Sequence, residues 1–442
     1  MKVIIIGGDA AGMSAAMEIV RNAPGIEIVV LERGGIYSYG QCGLPYILDG
    51  RIENTEELIA RDVAIFRHKY GIDARKFHEV TSIDTTAQIV RGKHLRTCER
   101  FEFQYDKLLI ASGATPTIPE WRSTDFIGIH TIKTIPQMEY LMQDLKNVQH
   151  VTVIGGGYIG LEVVETLQER GLAVRLIHRG KQLMKKLHPT LAEKVFVEAK
   201  TKGIEVLLEE EVLGFEGDDR VEQVITKSGS FATDLVIVAT GITPNTQFAV
   251  GLAKLENGAI IVNEQMETSF KNIYAAGDCA THFHRLKFEE DYLPLGTTAN
   301  KQGRIAGLNI AGKKAIFNGI VGTTVLKFFD LQIGMTGLSE KEAEDLKIDF
   351  DCYDWQANHI AGYYPKARPI DLRVFVDKKT RKLLGLQAVG EAGVDKRIDV
   401  FATALYNEMT FEELVDLDLA YAPPFNGVWD AVQQVAKRYG EN

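Results

Sequence analysis

A short apolar run leading straight into a glycine turn occurs twice in this chain, and no other feature limits its fold so tightly. Val151 to Ile154 leads into Gly155-Gly156-Gly157-Tyr158-Ile159-Gly160, which meets the spacing G-x-G-x-x-G in full. Val3 to Ile6 leads into Gly7-Gly8-Asp9-Ala10-Ala11-Gly12, where Asp9 takes the middle glycine position. Such a turn needs small residues, so that backbone N–H groups can approach a pyrophosphate and the following helix can pack close to the strand. A helical stretch follows each turn, over 13–20 and over 161–170 with Gly171 as its stop. A further apolar run then follows, over 26–31 and 173–177. Two βαβ units, each reading as a dinucleotide site, are therefore expected.

The two units end differently. Glu32 closes the first, where a carboxylate accepts hydrogen bonds from an adenosine ribose. The second ends in His178-Arg179-Gly180-Lys181, and cations there suit a 2′-phosphate, hence NADPH with NADH also accepted. A solvated basic turn is the plainer reading of the same residues. A second repeat supports the pairing. Tyr105 to Pro116 echoes Thr233 to Pro244, each a buried strand entering a small-residue turn, with Ser112-Gly113 in one copy and Gly241 in the other. A third signal is Ile273 to Ala276 delivering Gly277-Asp278, where a carboxylate can bind the sugar-like chain of a flavin. Thr297 and Thr298 are placed to cap a helix running to Gly312.

From about residue 321 the pattern changes. Strand-like runs at 324–329, 371–376 and 383–389 precede helical ones at 396–407 and 411–416, and no glycine fingerprint recurs. This reads as a mixed α+β domain. Segment 57–71 reads as one helix with Gly71 as its stop, and Arg67, His68 and Lys69 crowd its last turn as helix-dipole partners.

The chain's net charge of −10 argues against nucleic acid and anionic membrane as partners. No run approaches the roughly 18 apolar residues of a membrane helix. The N-terminus meets Gly7 too soon for a signal peptide. Four cysteines stand apart at 42, 98, 279 and 352, which suits neither a disulfide framework nor a zinc site. A cytoplasmic protein without metal is expected.

One cysteine invites chemistry. Cys42 lies in Tyr37-Ser38-Tyr39-Gly40-Gln41-Cys42-Gly43-Leu44-Pro45-Tyr46. Pro45 suits the first turn of a helix, which puts Cys42 at a helix N-terminus, where the partial positive charge lowers a thiol's pKa. The alternative is a small buried hydrophobe, the usual fate of a free cysteine. Its place just after the first nucleotide unit favours the reactive reading.

With both fingerprints, both closing turns, the Gly-Asp pair and the C-terminal domain in hand, the chain resembles the flavin-dependent pyridine nucleotide–disulfide oxidoreductases over essentially its whole length. Within them it is similar to the coenzyme A disulfide reductase branch. Members with a Cys-x4-Cys pair differ, because positions 37 and 47 here are Tyr37 and Ile47. Peroxidases and oxidases of the group carry a histidine in the first turn, where this chain has Ala10. Gly362-Tyr363-Tyr364-Pro365 and Tyr421-Ala422-Pro423-Pro424-Phe425 match turns that supply catalytic tyrosines from a partner subunit.

The resemblance implies an α/β architecture of two Rossmann-like dinucleotide-binding domains plus a C-terminal α+β dimerisation domain. The FAD-binding domain would be discontinuous, over 1–117 and 246–320. The NAD(P)H-binding domain would span 118–245 and the dimerisation domain 321–442. FAD would be held by Gly7, Gly8, Asp9, Ala10, Ala11, Gly12, Glu32, Arg33, Val80, Ser112, Gly113, Asp278, Thr298 and Ala299. NAD(P)H would meet Gly155, Gly157, Tyr158, Ile159, Gly160, His178, Arg179, Lys181 and Gly241, with Tyr158 as a gate over the nicotinamide. By position, Ser14, Glu18, Arg21, Ser38, Gln41, Lys69, Asn300 and Trp429 match a coenzyme A groove, and Arg21 and Lys69 are its supply of cations. The implied reaction passes electrons from NADPH through flavin to Cys42. The Cys42 thiolate attacks coenzyme A disulfide and forms a mixed disulfide, and Tyr363 or Tyr421 serves the departing thiolate. The implied assembly is a homodimer. Rival readings are a sibling that reduces oxygen, peroxide or a coenzyme A persulfide or polysulfide through the same cysteine, and a signalling flavoprotein without turnover.

Overall fold

The computed structural model describes residues 1–440. The strand Lys2–Ile6 enters the first glycine turn and the helix Ala10–Asn22 leaves it. That strand lies at the centre of a five-stranded parallel sheet, between Lys107–Ile110 and Glu27–Leu31, with Ile273–Ala275 and Asp73–Arg75 at the edges. The second sheet repeats this order. His150–Ile154 lies between Leu235–Val238 and Ala173–His178, with Ile129–His130 and Glu205–Leu208 outside them. All-parallel strands covered on both faces read as continuous apolar runs, which is why VIII, IVVL, VTVI and LVIV were visible in the sequence. Each sheet also carries a three-stranded antiparallel meander, His78–Asp84, Ile89–His94 and Arg100–Gln104 in one, Val212–Gly217, Val221–Thr226 and Ser230–Ala232 in the other. The two repeats then join. Ala114–Pro116 pairs antiparallel with Ile242–Pro244, so the echoing turns become one two-stranded link between the sheets.

Glycine is required where backbone meets backbone. A Cβ on Gly12 would fall 2.0 Å from the Gly7 carbonyl oxygen, and one on Gly160 would fall 1.8 Å from that of Gly155. These contacts bring each fingerprint helix tight against its own strand.

The third sheet is antiparallel, in the order Thr324–Phe328, Leu331–Gly337, Leu383–Gly390, Pro369–Asp377 and Phe350–Asn358. Helices Val394–Tyr406 and Ala431–Tyr439 share its apolar core. Several boundaries differ from the sequence reading. Residues 57–71 do not form one helix: a turn at Thr55–Leu58 is separated from the helix Val63–Tyr70 because Ile59 bridges back to Tyr39. Gly71 does end that helix, in the left-handed region at φ 65°. Residues 411–416 shrink to the single turn Glu412–Leu414. Thr297 and Thr298 are not caps, because the helix Gly296–Ile310 begins before them and its side chains cap nothing. Among the described residues no helix is long and apolar enough to cross a membrane.

Candidate active site

A continuous cleft of about 2160 Å³ runs between the two parallel sheets, and both glycine turns open onto it. Its walls include Gly7 to Ala11, Glu32, Arg33, Val80, Ser112, Gly113, Asp278, Ala299 and Asn300 on one side. Gly155, Gly157, Tyr158, Ile159, His178, Arg179, Lys181 and Gly241 line the other. Cys42 lies on the wall between them. Gly12 and Gly160 sit behind the turns as packing residues, and Thr298 is buried in its helix.

The two turns are held by the same device with different charge. The Gly8 N–H donates to Glu32 Oε2 at 2.8 Å, and the Gly34 N–H donates to the other oxygen at 2.7 Å. In the second unit the Gly156 N–H donates to His178 Nδ1 at 3.1 Å. An imidazole nitrogen that accepts is unprotonated, and burial followed by the Arg179 charge lowers the His178 pKa. His178 is therefore a neutral acceptor, which corrects its reading as a cation. Arg179 and Lys181 carry the positive charge, joined by Lys185, which also lines the cleft and was not singled out in the sequence. All three are exposed and none forms a hydrogen bond or ion pair among the described residues. Unpaired cations beside a nucleotide turn fit a phosphate.

The flavin side is tied together across the chain. Ser112 Oγ donates to the Asn245 carbonyl at 2.6 Å, and Arg33 Nη2 donates to Thr115 Oγ1 at 3.3 Å. Asp278 pairs with Lys133 Nζ at 3.1 Å. The paired glycine cradles, Glu32 at the first turn and Asp278 in the cleft fit a dinucleotide such as FAD.

Cys42 does not sit at an α-helix N-terminus. It is the second residue of a 3₁₀ segment, Gln41–Ile47, with Pro45 inside it. Close packing shapes this segment: a Cβ on Gly43 would fall 2.3 Å from Leu58 Cδ2. Leu44, Ile47 and Leu48 anchor it in the core of the second unit, together with Leu161, Val164 and Phe328. A short 3₁₀ turn aligns few peptide dipoles, so it offers a thiolate little. Cys42 is exposed and lines the cleft. Burial pushes its pKa up and the Glu162 carboxylate adds to this, while Lys133 opposes them. This reverses the lowered pKa expected from the sequence. Glu162 stands one turn after Tyr158 on the second fingerprint helix. It accepts from Tyr46 Oη at 3.2 Å, and burial raises its own pKa. Beneath it, buried Glu165 takes Arg51 at 3.0 Å and Lys327 at 3.1 Å, tying the cysteine segment to the third sheet. Tyr158 Oη meets Thr324 Oγ1 of that sheet at 2.7 Å.

The remaining expected residues lie in two places. Ser14, Glu18 and Arg21 follow one another along the outer face of the first fingerprint helix. Ser14 Oγ donates to Asn300 Oδ1 at 2.8 Å, and Arg21 pairs with Glu18 at 2.8 Å. Gln41 lines the cleft, Ser38 is half-buried just outside its lining, and Lys69 is exposed on its helix. Tyr363 and Tyr421 meet each other, Oη to Oη at 3.3 Å, and are 76% and 46% exposed. With Trp429 they belong to the C-terminal domain and do not line the cleft that holds Cys42 of the same chain. The other cysteines are elsewhere: Cys279 is fully buried, Cys352 is pushed up to about 11 chiefly by burial, and Cys98 is exposed on a hairpin turn.

Two Rossmann-type sheets opening onto one cleft with a cysteine on its wall define a two-nucleotide oxidoreductase. Residues 1–303 match the model of the pyridine nucleotide-disulphide oxidoreductases, and residues 323–432 match the dimerisation domain of the same proteins. The chain belongs to the pyridine nucleotide-disulphide oxidoreductase family, which uses FAD and NAD(P)H. It is 39% identical to the NAD(P)H sulfur oxidoreductase (CoA-dependent) of Pyrococcus abyssi, over 98% of this chain and 97% of that one. It is 32% identical to the coenzyme A disulfide reductase of Staphylococcus haemolyticus, over 98% of each. Among solved structures it is similar to reduced Bacillus anthracis CoADR-RHD, with TM-score 0.96 and 35% identity, covering 100% of this chain and 80% of that one.

Proposed function

We propose that this protein uses NAD(P)H and FAD to reduce a disulfide or persulfide of coenzyme A through Cys42 alone. The observation that carries this is the placing of one cysteine on the cleft wall between the two nucleotide turns, with Tyr37 buried and Ile47 in the core where a second cysteine would be needed. Bound FAD supplies the two-electron relay between nicotinamide and sulfur. The chain's own residues do the rest. The first turn and Asp278 hold the flavin, and Arg179, Lys181 and Lys185 meet the 2′-phosphate of NADPH. The Cys42 thiolate attacks one sulfur of the substrate, forming Cys42–S–S–CoA and releasing the other sulfur as a thiolate. The face bearing Ser14, Arg21, Gln41, Lys69 and Asn300 is the groove for the coenzyme A nucleotide. Tyr363 and Tyr421 protonate the leaving thiolate from a second subunit, since they do not reach Cys42 in their own, and Trp429 follows them across the interface. A homodimer working in the cytoplasm is part of this reading, as are the domain limits 1–117 with 246–320, 118–245 and 321–442.

The higher identity to a CoA-dependent sulfur oxidoreductase than to a disulfide reductase favours persulfide or polysulfide as a second acceptor. NADPH oxidation measured in parallel with coenzyme A disulfide, coenzyme A persulfide, glutathione disulfide, peroxide and oxygen tests the reading. Coenzyme A substrates should turn over fastest. Cys42→Ser should keep its flavin and lose that turnover almost wholly. Wild-type rates in Cys42→Ser would remove Cys42 from the chemistry.

A further inference from the structure

Asp9 breaks the first fingerprint. The middle position ordinarily takes glycine so that a pyrophosphate can approach. A carboxylate there faces the phosphates it should admit, so its presence calls for a reason. Asp9 stands at the N-cap of the helix Ala10–Asn22, yet its side chain makes no capping bond. It turns instead to the segment that precedes Cys42. Its Oδ1 accepts from the Tyr39 N–H at 3.1 Å, and its Oδ2 accepts from Gln41 Nε2 at 2.6 Å. Beside it the Ser38 N–H donates to the Gly8 carbonyl at 3.0 Å, and Ser38 is held in the left-handed region at φ 48°. On its far side the same segment is fixed to residues 58–60 by Gly40 N–H to the Leu58 carbonyl and Ala60 N–H to the Ser38 carbonyl. Residues 38–41 are thus a strap between the flavin turn and the cysteine.

We propose that Asp9 is a positioning residue for Cys42: it fastens the cysteine strap to the flavin-binding turn and fixes which end of the Gln41 amide faces the substrate. The proposal rests on Cys42 as the reacting sulfur and on no particular acceptor. An ionised carboxylate only accepts hydrogen bonds, so Gln41 must present Nε2 to Asp9 and turn Oε1 away. Protonation of Asp9 makes one of its oxygens a donor, which favours a Gln41 amide turned over to present Oε1. The charged and titratable groups facing Asp9 are Glu32 at the end of the second strand, Lys133 from the second unit and Tyr39 of the strap. Burial brings the Asp9 pKa up to about 6, with Glu32 adding to it and the two hydrogen bonds and Lys133 opposing it. The switch therefore falls just below neutrality.

The test uses FAD-loaded, reduced protein and two variants. Asp9→Gly restores the ordinary fingerprint, so it should keep its flavin while freeing the strap. Asp9→Asn keeps the shape, accepting from Tyr39 with its oxygen and donating to a turned-over Gln41, but cannot titrate. Iodoacetamide labelling of the Cys42 peptide is followed by mass spectrometry from pH 5 to 8, with the exposed Cys98 peptide as internal reference. Wild-type labelling relative to Cys98 should show a step near pH 6. Asp9→Asn should lose the step and label within about threefold of wild type at pH 7.5. Asp9→Gly should retain flavin absorbance and label at least fivefold faster. A step near pH 6 that persists in Asp9→Asn, or wild-type labelling in flavin-loaded Asp9→Gly, overturns the proposal. The readout contains no coenzyme A, so its failure is separate from any failure of the substrate assignment.

Discussion

Nucleotide choice can be worked out from the second turn. Arg179, Lys181 and Lys185 face the cleft with no carboxylate hydrogen-bonded to them, although Glu211 in the same lining feels the Arg179 charge, and His178 is a neutral acceptor occupied by Gly156. A charge-assisted hydrogen bond contributes about 1.5–3 kcal/mol. These side chains are exposed, so the lower end applies, about 1.5 kcal/mol for each contact with the 2′-phosphate. Since about 1.4 kcal/mol is tenfold, Arg179→Ala should cut kcat/KM for NADPH about tenfold. Arg179→Ala/Lys185→Ala should cut it by on the order of 100-fold if the two contacts add. NADH, with no phosphate to lose, should stay within about twofold in both variants. The loss should shrink as salt rises, because these charges are screened. Steady-state rates with both nucleotides, and the inhibition constant of 2′,5′-ADP on the same variants, measure it. An unchanged NADPH kcat/KM in the double variant would refute the phosphate assignment and leave the cluster as a solvated turn.

Other outcomes follow from the same geometry. His282 and His284 are buried, and each accepts a backbone N–H, from Leu293 at 3.0 Å and Leu286 at 3.3 Å. Burial lowers both to about 4, so the unfolded chain binds more protons than the folded one between pH 6.5 and 4. Stability must therefore fall as pH drops through that window, by on the order of 3 kcal/mol from pH 7 to 5 for the pair. Thermal melts in that range check this, and a flat profile would contradict it. If Tyr363 and Tyr421 act across the interface, mixing Cys42→Ser subunits with Tyr363→Phe/Tyr421→Phe subunits should restore activity above either parent. Proven subunit exchange without that gain counts against it. Glu162→Gln should move the Cys42 alkylation pKa down, since the Glu162 charge raises it; an upward or absent shift in stopped-flow alkylation of reduced protein would show the two groups are uncoupled.

Much of the fold was legible because a parallel strand covered on both faces must be apolar along its length, and the turn after it must be glycine. Both βαβ units and the repeat that closes each sheet show that signature. Three strands of the antiparallel sheet were also legible, as apolar runs at 324–329, 371–376 and 383–389, but the other antiparallel parts were not. The strand Leu331–Gly337 carries two polar or glycine positions, Gly334 and Thr336, in its buried run, and Phe350–Asn358 is an edge strand whose side chains are mostly part-exposed. In the two meanders Arg100–Gln104 alternates strictly, as RFEFQ, but most of the other strands do not. Helix Ala431–Tyr439 is short and begins from a capping box built on Asp430, a signal present in the sequence as Asp430 and Gln433.

The candidate site divides along a related line. Residues that hold a nucleotide by backbone and by glycine are local, so spacing finds them. Residues that set the chemistry of Cys42 are not local to it. Glu162 lies on the second fingerprint helix, Lys133 just before a helix of the second unit, and Asp278 after the last strand of the first sheet; only the fold brings their charges to one sulfur. The local argument from Pro45 therefore failed in sign. It supposed an α-helical dipole acting on the thiol, whereas the chain supplies a seven-residue 3₁₀ segment whose exposed cysteine faces a carboxylate. Burial and the Glu162 charge both push the Cys42 thiol up. Lys133 is the one cation that opposes this among the causes acting on Cys42, and it is already engaged by Asp278 at 3.1 Å.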